Sequence, residues 1–98
     1  MRKSDKKLEN EIIRRLTDVC ETMKPQLTGF VWLTHEVNYQ RFPASLVVTL
    51  VFNDEVTEQT LLEEFAVLLP KVQAALQPVL GRDLPAKQIE ARREHRLN

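Results

Sequence analysis

The chain carries one cysteine, two glycines, two histidines and one tryptophan among its 98 residues. A single cysteine excludes an internal disulfide and any zinc site built from several thiolates. With only Gly29 and Gly81 available, no glycine-rich loop exists to cradle phosphate groups. Two histidines leave little for a metal centre or a nucleophile–base–acid set, so the expectation is no cofactor, no metal and no enzyme. Net charge is also missing. Fourteen Lys and Arg balance fourteen Asp and Glu, so no bulk field draws the molecule toward nucleic acid or a membrane surface. The longest apolar run, residues 46–52, is interrupted by Thr49 and falls far short of the roughly 20 residues that cross a bilayer. Residues 1–10 hold Arg2, Lys3, Lys6 and Lys7 with one leucine and no apolar block behind them. That pattern is not a secretory signal, and a lone thiol suits a reducing interior, so a cytosolic setting is expected.

What is present is the composition of a globular protein, 43% apolar and 29% charged. The length predicts one small domain over residues 1–98. Residues 4–24 read as an amphipathic helix, because Leu8, Ile12, Leu16, Val19 and Met23 recur every three or four positions. Ser4 offers a cap, Asp5 suits the first turn, and Pro25 ends the helix. Two strands follow, at 30–39 and 45–52, and the short connection holding Pro43 predicts an antiparallel hairpin. The second strand is almost continuously apolar, as expected where neither face is open to water. Residues 57–80 are helical in pattern, with Thr57 or Thr60 as cap. Pro70 predicts a break at Leu69 and a second helix after it. Because a helical crossover returns the chain to its own sheet, a third strand is expected around residues 85–90, before a frayed basic tail at 92–98. The order is α-β-β-α-α-β, an α+β fold with a small three-stranded sheet and helices packed on one face.

Residues 1–10, the stretch 16–21 (LTDVCE) and above all residues 29–46 (GFVWLTHEVNYQRFPASL) resemble a small family of gammaproteobacterial proteins. Members of that family are often labelled Fis family transcriptional regulators. The likeness covers the first half of the chain and fades after Phe52, where residues 84–98 resemble a shortened version of the family's acidic, aromatic tail. The label would imply DNA reading by a C-terminal helix-turn-helix. Residues 82–98 do not supply one: they form one short segment with almost no apolar face.

Strict alternation puts Phe30, Trp32, Thr34, Glu36 and Asn38 on one face of the first strand and Val31, Leu33, His35, Val37 and Tyr39 on the other. Phe30 and Trp32 read first as core or as a contact with a subunit partner, and otherwise as an exposed stacking platform for single-stranded nucleic acid. His35 and Glu36 point to opposite faces and cannot share a site. Cys20 lies on the apolar side of the first helix, where it behaves as a small hydrophobe, and His95 reads as solvated. The neutral total conceals a pattern. Residues 36–70 hold six acids against Arg41 alone, while residues 1–24 hold seven bases and residues 71–98 six. The acids read as a solvated helix face. The bases, with Arg2, Lys3, Lys6 and Lys7 at one end and Arg92, Arg93 and Arg96 at the other, would form an anion-facing patch if the termini met.

The function expected from these features is a non-enzymatic protein-interaction or regulatory module, acting on another protein or on a second copy of itself. The alternative is a nucleic-acid- or ribosome-associated domain that uses the basic termini and the sheet aromatics. No membrane partner is expected.

Overall fold

The structure is a computed structural model that describes residues 2–94. Its elements are α1 (Lys3–Met23), β1 (Phe30–Glu36), β2 (Val47–Phe52), α2 (Glu58–Leu80) and β3 (Ile89–Arg93), with short 3-10 turns at Lys24–Gln26, Tyr39–Arg41 and Ala86–Gln88. The sheet order is β1-β2-β3, with β1 and β2 antiparallel and β2 and β3 parallel. The class is the α+β one that the hydrophobic pattern predicts, and the third strand is there.

Several boundaries differ from expectation for physical reasons. Ser4 lies inside α1 rather than at its cap, because the helix begins at Lys3 with Arg2 outside it and no side-chain cap. Pro70 does not divide α2, so the order is α-β-β-α-β. Both Pro70 and Pro78 sit inside one helix of 23 residues. Each removes an N–H that would bond the carbonyl four residues back, on Ala66 and Ala74. All four residues are exposed, so water can take over those carbonyls. Thr57 is the cap, accepting from the Thr60 amide at 3.1 Å, and Gly81 ends the helix in the left-handed conformation, φ 76°. The third strand starts at Ile89, because Pro85 opens a 3-10 turn. It therefore takes in Arg92 and Arg93, which the sequence places in a tail. His95, Arg96 and the rest of that tail lie outside the described residues.

The core lies between the helices and one face of the sheet. Ile12, Leu16, Val19 and Met23 of α1 and Leu68, Val72 and Leu76 of α2 meet Phe30, Val48, Leu50, Phe52 and Ile89. Phe30 and Phe52 pack edge to face, ring centroids 6.1 Å apart. β2, in the middle of the sheet, buries Val48, Leu50, Val51 and Phe52, which explains its unbroken apolar sequence. The opposite face of the sheet has no helix on it.

Candidate interaction surface

One irregularity decides what that open face presents. Phe30 pairs with Phe52 and Leu33 with Leu50, yet these two β1 residues are three apart, an odd spacing that a regular strand cannot put on one face. A bulge absorbs the difference, with Val31 the extra residue before Trp32, which pairs with Val51. Phe30 is thereby turned into the core, 5% exposed, and Trp32 outward, 44% exposed. The shared face expected for Phe30 and Trp32 does not exist. The first is core and the second is surface.

Register then lays out the outer face in rows. Trp32, Val51 and Arg92 form the first, Thr34, Thr49 and Glu90 the second, and Glu36 and Val47 the third. Val51 is only 2% exposed, lying between the indole and the Arg92 side chain at the bottom of a hollow of about 360 Å³. Arg92 is exposed. Arg93 points to the other side and donates to the Val56 carbonyl.

A second depression, about 430 Å³, runs along the free side of β1 beneath α1 and includes Ile13, Cys20, Leu33 and His35. Cys20, Glu21 and His35 thus line one groove. The His35 ring bonds Glu9 through Nε2, at 2.5 Å from Oε1. About 16 Å of helical rise separates Glu9 from Cys20 at roughly 1.5 Å per residue. The bond to His35 holds the Glu9 carboxyl below its usual range against the opposing effect of burial. The Tyr39 hydroxyl lies beside the same carboxylate, buried and without hydrogen-bond geometry to any described group. Burial first, then the close approach of its proton to the Glu9 carboxylate, and last the negative charges of Glu9 and Asp5, push its ionisation above the ordinary phenol value. This cluster pins the end of β1 to α1.

Among the described residues, the cations of the two ends do not pool. Glu9 meets His35, which faces Val48 and Ile89 across the sheet, so Arg2, Lys3, Lys6 and Lys7 lie beyond that end. Arg93 faces Phe52 at the other end, about 13 Å further along the strands. All four N-terminal cations are exposed, and Lys7 joins Ser4, Leu8 and Arg15 in a shallow hollow against Pro78 and Val79. Residues 82–94 hold a 3-10 turn and β3 rather than a pair of helices.

Glu64 is the residue whose role the sequence reading misses. Grouped with the solvated acids, it is 8% exposed, and its carboxylate accepts from the amides of Thr28, Gly29 and Phe30 at 3.0 Å each and from the Thr28 hydroxyl at 3.1 Å. The signal for it is spacing. Glu64 stands on the apolar stripe of α2, three after Leu61 and four before Leu68. Gly29 is required there because a Cβ would meet Val56 Cγ2 at 2.6 Å and Glu64 Oε1 at 3.3 Å.

Among the described residues, no three His, Cys, Asp or Glu side chains gather as metal ligands, and no helix is long and apolar enough to cross a membrane. No family model, curated protein or solved structure matches the chain.

Proposed function

We propose that this domain is a non-enzymatic, cytosolic protein-interaction module that works through the outer face of its sheet. The observation that carries the reading is Trp32. It is the one tryptophan of the chain, and it stands 44% exposed on a sheet face that no helix covers, whereas the neighbouring aromatic Phe30 is core. Tryptophan and arginine dominate binding energy where they sit at the centre of a contact, and here they flank a buried valine in one row. Cys20 stands about 16 Å along α1 from Glu9, the acid that engages His35, at roughly 1.5 Å of rise per residue, which supports a role without a joint Cys–His–Glu site. The test is affinity capture from cells of the source organism with the full chain and with Trp32→Lys, both checked for folding by circular dichroism. Partners retained equally by both would overturn the proposal; loss of a partner at least about tenfold is expected for a central hot spot.

Arg92 beside Trp32 favours a second reading, a nucleic-acid- or ribosome-associated surface in which a base stacks on the indole. The split of the cations between opposite ends of the sheet weighs against it. Its electrostatic part is largest at low salt, so a gel shift at about 50 mM salt with mixed RNA and DNA tests it directly, and a free probe there eliminates it.

A further inference from the structure

Resting on the interaction reading, we infer that the occupant of the outer sheet face is a second copy of this chain, seated face to face so that Arg92 of each copy lies over Trp32 of the other. Charge and register pick this arrangement. Trp32 and Arg92 stand at opposite edges of one row, with Val51 between them on the central strand. A two-fold axis parallel to the strands and passing over β2 exchanges β1 with β3. That operation brings the π face of each indole against a guanidinium, an attractive cation–π pair made twice. It also sets Glu90 opposite Thr34 and β2 opposite itself, so that Val47, Thr49 and Val51 meet their own kind. No two carboxylates are brought face to face. A two-fold across the strands would instead direct the indole face at Glu36 and leave Arg92 without an anion or an aromatic. Packing with the strands roughly aligned is also the common way for two sheets to stack, about 10 Å apart. An indole 44% exposed would fill the space between them.

The test uses the purified full chain in sedimentation equilibrium between about 5 and 500 µM, bracketing the micromolar affinities of small interfaces. Trp32, the single tryptophan, reports at the same time by its emission. A concentration-dependent dimer with a blue shift of emission on association is expected. Trp32→Lys places a cation against Arg92 of the second copy and is expected to weaken dimerisation more than about tenfold. Trp32→Glu, equally polar and at the same exposed site, restores an attraction and is expected to dimerise measurably better than Trp32→Lys. Adding Arg92→Glu to Trp32→Lys sets a carboxylate against the new cation and is expected to recover dimer. Arg92→Glu alone, on the exposed end of β3, gives a second variant whose folding does not depend on Trp32.

A chain that stays monomeric throughout overturns the inference, and the capture experiment above then decides the interaction reading separately. Equal behaviour of Trp32→Lys and Trp32→Glu in a dimer also overturns it, since the interface would then lie elsewhere. A monomer whose Trp32 emission is quenched by a single-stranded oligonucleotide would overturn it in favour of the stacking surface.

Discussion

The two faces of one sheet are built by different rules. On the inner face Phe30, Val48, Leu50, Phe52 and Ile89 are each 5% exposed or less and belong to one core with residues of both helices. On the outer face an indole, threonines, carboxylates and a guanidinium stand around one buried valine. β2 contributes to both, so neighbouring residues on a single strand carry different duties. The inner face holds the fold together, and the outer face is free to be spent on recognition. Binding and stability should accordingly separate when the two are mutated in turn.

The largest expected effect is on the inner face. Leu50→Ala, at a site with no exposure, is expected to cost about 2–5 kcal/mol by urea denaturation. Thr49→Ala, one residue away on the outer face, should stay within about 0.5 kcal/mol. Equal losses would break the comparison. Glu64→Ala comes next, at about 2–4 kcal/mol, because three backbone amides and a hydroxyl lose their acceptor together. Glu64→Gln, which keeps one acceptor oxygen, should lose roughly half as much. Gly29→Ala must displace Val56 and is expected to cost about 1–3 kcal/mol, measured by thermal melting.

Glu9→Gln sharpens the picture through pH. The folded-state value of Glu9 lies below the ordinary 4.5. Its contribution is therefore complete above that unfolded value and is lost as pH falls through the folded one. The variant should melt below the parent near pH 6 and converge on it as pH falls below 4.5 and through the lower folded-state value. The difference should remain under about 1 kcal/mol, since both partners keep some contact with water. Trp32→Ala should also be mild for the fold. Its indole is half in solvent, so a stability change below about 1 kcal/mol is expected, while partner binding falls.

Much of this architecture is legible in the residues. The three- and four-residue spacing of Leu8 to Met23 marks α1, the apolar run of β2 marks a central strand, and the crossover rule supplies β3. Three features are not legible, each because tertiary context overrides a local rule. Pro70 is tolerated because it and Ala66, whose carbonyl it strands, lie on the exposed side of the helix where water can serve as the partner. The third strand lies further along because the 3-10 turn after Pro85 delays it. The faces of β1 follow a bulge, and nothing in residues 30–33 announces one, so alternation misassigns Phe30. At the interaction surface, Trp32 and Arg92 are visible as candidates, but their placement in one row depends on a parallel pairing that periodicity does not encode. Glu64 was within reach of pattern reading, since a charged residue on an apolar stripe implies a buried partner.

The extra residue in β1 also bears on how far assembly can proceed. Bulges bend and twist a strand, and a twisted border is a poor template for another chain's backbone. The opposite border, β3, carries Glu90, Arg92 and Arg93, whose charges discourage the same kind of addition. With both borders guarded and one uncovered sheet face, the pairing of copies proposed above would close after two instead of propagating into a fibre.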